Sequence, residues 1–310
     1  MALPLGLIFM TQKRSNLWLW IIFGGGAFLF FILCLAAIAV FFSNIGSSGV
    51  SRSSNLVASL EIKGTISDSK EFIEELNDYG KRANVKSVII RIDSPGGGVA
   101  ASQEIYEAIK EFRADTKKKV VVSMASTAAS GGYYVACAAD MIFANPGTIT
   151  GSIGVIAQWY DYSDLLRWAK MQSVVIKTGD FKDSGSGFRP ITEEEKVLFQ
   201  SLIDDMHGQF VSAISASRNI PEEEVRLFSD GRVFTGREAM EKRLVDEIGT
   251  FQDAVKTAAN LGGITGEPKL LTPFKKRFSA FDLLLGNAES VFPLASVGSG
   301  SHIRFEYLWR

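Results

Sequence analysis

The chain has 310 residues, 33 of them basic and 34 acidic, and a formal net charge of −1; 46% of its residues are hydrophobic. The near-balance argues against the strongly basic face of a nucleic-acid binder, and the hydrophobic content excludes a wholly disordered chain. With two histidines (His207, His302) and two cysteines (Cys34, Cys137), no four-ligand zinc site or disulfide scaffold is expected, and a Ser-His-Asp triad would have to recruit one of two isolated histidines.

Residues 17–42 form an apolar run of 26 positions without a charge. About 20 apolar residues span a bilayer, so the run is long enough for one tilted transmembrane helix. It exceeds the apolar core of roughly 7–15 residues that marks a cleaved signal peptide. Lys13 and Arg14 precede the run, and the next charge is Arg52. The positive-inside rule then places residues 1–16 in the cytoplasm and the bulk of the chain outside, whether in a periplasm or at a cell exterior. Residues 43–54, rich in Ser and Gly, read as a flexible linker.

From Val57 onward short apolar runs alternate with helical patterns. Residues 57–64 and 87–93 read as strands, with helical spacing between them. Ala100 to Arg113 places Ile105, Ile109 and Phe112 on one helical face. Residues 120–124, 140–144, 152–157 and 173–177 read as further buried strands. Thr192 and Glu195 form a capping box, and the helix behind it carries Leu198, Leu202, Met206 and Phe210. The alternation predicts an α/β domain with a largely parallel sheet over 55–265. Residues 266–310 lose clear periodicity and read as an extension, whose aromatic residues have a neighbouring subunit as one packing partner.

Three Gly-containing loops follow strands, where ligand loops of α/β folds sit. Asp93-Ser94-Pro95-Gly96-Gly97-Gly98 offers backbone N–H groups to an oxyanion, or is a plain strand-to-helix turn. Ser130 in Ala129-Ser130-Gly131-Gly132 stands at a helix start, which suits a nucleophile and equally an N-cap. Lys182, in the loop Gly179–Gly185, has the ordinary reading of a solvated charge; with histidine scarce, a neutral lysine is also the most plausible base for a serine. His207 reads as packed or partly exposed, and Cys137 as a small buried residue.

These loops, followed through Thr150-Gly151-Ser152-Ile153-Gly154-Val155 and a final segment over 231–249, resemble in order and spacing the short, single-repeat form of the signal peptide peptidase A family. The resemblance covers roughly 57–250. It implies a Clp protease/crotonase-like fold of repeated β-β-α units behind one N-terminal transmembrane helix. It implies a membrane serine endopeptidase with Ser130 as nucleophile and Lys182 as base, Gly97 and Gly131 as oxyanion donors, and Ser152 positioning the lysine. No cofactor or metal is implied. The expected substrates are remnant signal peptides and other short or unfolded apolar peptides, with small or aliphatic residues before the cut. The expected partners are membrane lipid and further copies of the chain, in a homo-oligomer that encloses its active sites. Gly187 departs from the proline of many relatives. Two other classes share parts of this pattern: a crotonase-type acyl-CoA enzyme, which the anchor, Ser130 and Lys182 oppose, and a catalytically silent scaffold, which would be expected to lack one of those two residues.

Overall fold

A computed structural model describes residues 30–36, 55–272 and 305–309. The chain divides into two units between Ser53 and Ser54. In the first unit residues 30–36 are helical, and the remainder of the expected span 17–42 and the linker 43–54 lie outside the described residues. Among the described residues no helix is long and apolar enough to cross a membrane.

In the second unit, β1 (Leu56–Lys63), β2 (Val85–Ser94), β4 (Lys119–Ala129) and β5 (Met141–Ala144) run parallel and adjacent in that order. β10 (Lys269–Leu271) extends the sheet beyond β1, and β9 (Glu247–Ile248) beyond β5. The strand runs are apolar at successive positions because helices cover both faces. Val57, Ile89, Val121 and Phe143 pack with Ala254, Val255 and Ala258 of α8 (Phe251–Leu261). Ala58, Ile90 and Val122 belong to the opposite core, with Leu76 of α1 (Lys70–Lys81) and Ile105, Ile109 and Phe112 of α2 (Val99–Thr116). This is the expected mixed α/β architecture with a mainly parallel sheet.

The helix after the capping box is α5 (Glu193–Arg218), and Glu195 N–H donates to Thr192 Oγ1 at 3.2 Å while Thr192 N–H donates to Glu195 Oε2 at 2.9 Å. Its buried face is set by Phe199, Phe210, Val211 and Ile214, whereas Leu202 is exposed.

Three expectations are corrected. Residues 173–177 are not a buried strand: Val174 is 83% and Ile176 97% exposed, without ladder partners. Only Ile156–Ala157 of the run 152–157 is a strand (β7), and β6 (Ile149–Gly151) lies just before it. The tail aromatic Tyr307 packs inside its own chain. It belongs to β11 (Phe305–Leu308), the middle strand of a small antiparallel sheet between β3 (Gly96–Gly98) and β7. The Gly run, read as an oxyanion-facing loop or a plain strand-to-helix turn, is partly a strand, and β2–β3–α2 is a strand-strand-helix unit whose strands enter different sheets.

Candidate active site

The site is assembled where β4 and β6 end together. Ala129 pairs with Gly151, and the next residue on each strand is a serine, Ser130 and Ser152. Ser130 N–H donates to Gly151 O, and Ser152 N–H to Arg232 O, both at 2.8 Å. Both serines have positive φ, +52° and +48°. Such a backbone is costly for a residue with a side chain and persists only where its surroundings enforce it. Ser130 caps the short helix α3 (Gly131–Ala136), is 1% exposed, and its hydroxyl makes no hydrogen bond among the described residues. The serine expected to lead a helix therefore does so with its side chain unspent on capping.

Gly97 and Gly131 converge beside it. Gly96 O accepts from Ile66 N–H, and Gly98 N–H donates to Ile66 O, both at 2.8 Å. Backbone groups alternate along a strand, so Gly97 turns its N–H the opposite way, toward the site. A Cβ on Gly131 would stand 3.2 Å from Gly97 N, which places the two glycines side by side. Position 97 tolerates nothing larger than glycine, because a Cβ there would meet Ile66 O at 2.1 Å. Two N–H-bearing glycines next to a strained serine form an arrangement that can hold a developing oxyanion.

Ser152 also lines a cleft of about 360 Å³ with Ile156, His207, Leu308 and Trp309. His207 reaches this wall from α5, and its buried Nε2 has no hydrogen-bond partner among the described residues. Sequence spacing gave no reason to connect this histidine with Ser152, since the two are brought together only by packing.

Lys182 makes no hydrogen bond to Ser130 among the described residues. It sits exposed on the one-turn helix Asp180–Asp183, and its side chain makes no hydrogen bond or ion pair among the described residues. The loop that carries it is nevertheless built. Asp183 accepts from Arg189 Nε at 3.0 Å, Arg189 Nη2 at 2.8 Å and Lys177 Nζ at 2.5 Å, so its carboxylate is committed away from Lys182. Arg189 also donates to Glu195, which is 2% exposed at the side chain. The Arg189 hydrogen bonds hold the Glu195 carboxyl down at about 2, and they hold Asp183 well below the usual carboxylate range with help from Lys177. Gly187 suits the same loop, since its carbonyl accepts from Tyr162 N–H and a Cβ there would meet Tyr160 O at 2.6 Å.

This network predicts a pH response. Folding depresses both carboxyls, so their contribution is complete above the ordinary carboxyl pKa and lost as pH falls through the folded-state value. For Glu195 the window runs from 4.5 down to about 2. Amide protection over 179–190, corrected for intrinsic exchange, should hold near neutrality and fall steeply within that window. Protection that stayed level to its lower end would contradict this account.

The fold and the serine–glycine cluster define a hydrolase-like α/β protein built for acyl transfer. The profile of peptidase family S49 matches residues 112–265, and that of Clp protease residues 50–148. A Synechocystis sp. protein that carries a protease assignment is 43% identical over 210 residues, covering 67% of this chain and 75% of that protein. An Enterococcus faecium protein assigned as signal peptide peptidase SppA is 32% identical over 66% of this chain and 62% of its own length. The chloroplastic serine protease SPPA of Arabidopsis thaliana is 33% identical over 75% of this chain but only 34% of its own. The chain belongs to peptidase family S49 and is a serine peptidase of the signal peptide peptidase A type.

Proposed function

We propose that the chain is a membrane-anchored serine endopeptidase that degrades remnant signal peptides and other short or unfolded apolar peptides. Ser130 attacks the peptide carbonyl while Lys182 takes its proton. Gly97 and Gly131 N–H groups hold the oxyanion, and Lys182 then protonates the leaving amine. A water molecule, deprotonated by the same lysine, releases the acyl group, and Ser152 positions the lysine throughout. Neither metal nor organic cofactor enters these steps. The observation that carries the reading is the buried, positive-φ Ser130 immediately before Gly131, whose backbone lies beside Gly97.

A lysine acts as a base only when neutral, which requires burial. Lys182 is exposed in one copy, on a loop with Trp168, Val174, Ile176 and Phe181 also exposed. A homo-oligomer that covers this apolar surface would desolvate the lysine and complete the site. The apolar run 17–42, with Lys13 and Arg14 before it, would hold the catalytic unit outside the cytoplasm and close to its apolar substrates.

The reading is tested by incubating the full chain in detergent micelles with a synthetic apolar signal-type peptide and with a folded globular protein. Fragments of the peptide alone are expected; cleavage confined to the folded protein would contradict the substrate class. Gly97→Ala keeps the backbone N–H but would place a Cβ 2.1 Å from Ile66 O, so the strand must shift and carry the donor out of place, and kcat should fall by about 10²-fold or more. Unchanged kcat in that variant would remove Gly97 from the oxyanion site.

A further inference from the structure

β3 consists of three glycines, which bring neither side-chain packing nor strand propensity to hold themselves in place. Two serines bracket it, Ser94 at the end of β2 and Ser102 near the start of α2, and both are 0% exposed. Burying a hydroxyl is unfavourable unless it is bonded, so the partner of each one bears on its role. Ser94 Oγ accepts from Gly96 N–H at 3.0 Å and donates to Gly96 O at 3.4 Å. It closes the turn from β2 into β3, where Gly96 adopts a φ of +103°. The Ser94 backbone pairs with Ala128 of β4, and a Cβ on Gly132 would stand 3.1 Å from Ser94 O. Ser94 therefore links β3 to the strand and the helix that flank Ser130.

Ser102 acts at the other end of the strand. Its Oγ donates to Gly98 O at 3.0 Å. Gly98 is the N-cap of α2, and an N-cap carbonyl already accepts the first bond of its helix. The hydroxyl is thus not needed to satisfy that carbonyl. What it adds is contact with the second oxyanion glycine, because a Cβ on Gly131 would stand 2.5 Å from Ser102 Oγ. One buried hydroxyl therefore lies against the strand of Gly97 on one side and against Gly131 on the other. Gly97, midway between the two serine-bonded glycines, has its place set by them and by Ile66.

We propose that Ser94 and Ser102 are positioning residues for acyl transfer, and that Ser102 sets the spacing between the Gly97 and Gly131 N–H groups. The proposal rests on the reading of Ser130, Gly97 and Gly131 as the acyl-transfer site. Both hydroxyls are bonded to the backbone of β3, so they act through the glycines. A misplacement of about 1 Å in a catalytic site can cost on the order of 10²-fold in rate. The developing oxyanion needs both donors at once, whereas the bound peptide carbonyl depends on them less. Loss of either hydroxyl therefore lowers kcat and leaves KM nearly unchanged.

The test uses the full chain in detergent with the same synthetic apolar peptide and, separately, with a fluorophosphonate that labels an active serine. Ser102→Ala and Ser94→Ala are each expected to lower kcat at least about ten-fold with KM within about two-fold. Both should slow labelling of Ser130 by a similar factor at an unchanged melting temperature. Ser102→Cys keeps a side chain of similar shape with a weaker donor, and serves if the alanine variant fails to fold; its kcat should fall in the same direction. Gly131→Ala puts a methyl where the Ser102 hydroxyl lies, so adding Ser102→Ala in that background should change kcat by less than about two-fold. Wild-type kcat and labelling in either alanine variant would remove that serine from the proposal. A loss confined to KM, or one that tracks the melting temperature, would overturn the positioning role and leave the peptidase reading intact. If the wild type neither cut the peptide nor formed a Ser130 adduct, the peptidase reading would fall and the proposal with it.

Discussion

Replacing Ser130 by alanine is expected to lower kcat on any cleaved peptide by at least about 10³-fold, because residues of a covalent catalytic unit fail together when the nucleophile is lost. The variant should fold. The serine hydroxyl makes no hydrogen bond among the described residues, and the backbone bonds that fix its position, Ser130 N–H to Gly151 O and Tyr134 N–H to Ser130 O, survive the change. Alanine retains the strain of a positive φ without adding to it. An unchanged melting temperature beside lost turnover would separate chemistry from structure. Retention of more than about a hundredth of kcat, a loss below roughly 2.7 kcal/mol, would remove Ser130 as nucleophile.

Lys182→Arg should be as inactive as Lys182→Ala. An unperturbed lysine has a pKa of about 10.4 and is protonated at neutral pH, so the proposed role requires a site that disfavours its charge. Arginine keeps its charge at every working pH and cannot take the serine proton. The loop itself should persist, because Asp183, Arg189 and Glu195 hold it without contribution from the Lys182 side chain. Wild-type activity should rise toward mildly alkaline pH as the base loses its proton. If Lys182→Arg kept more than about a tenth of wild-type kcat, a loss under roughly 1.4 kcal/mol, the base would have to be sought elsewhere, beginning with His207 on the wall of the cleft that Ser152 lines.

Much of this architecture was readable because its causes are local. The β-branched runs around Val88–Ile92 and Val120–Val122 announce strands covered on both faces, and Thr192 with Glu195 announces the start of α5. The run 173–177 has the same composition and a different fate. Apolar content does not distinguish a residue packed in its own core from one left on an open face, and Val174 and Ile176 are of the second kind. The Gly96–Gly98 strand was hidden for another reason. Three glycines carry no strand propensity, and the segment becomes a strand only through Ile66 and a tail segment more than two hundred residues away. Ser130 was legible as a serine after a strand and before a helix, but its φ is imposed by the pairing of Ala129 with Gly151. The tail aromatics read as material for a neighbouring subunit, and the pairing of Tyr307 with Gly97 in the same chain depends on a register no local pattern encodes.

The measurement closest to the central claim is covalent capture of the nucleophile. The full chain in detergent is treated with a fluorophosphonate, digested, and the adduct located by tandem mass spectrometry. A single time-dependent adduct on Ser130, formed by the wild type and slowed strongly in Lys182→Arg, is the predicted result. An adduct on another serine, or Ser130 labelling that proceeds equally well without Lys182, would contradict a Ser130–Lys182 peptidase.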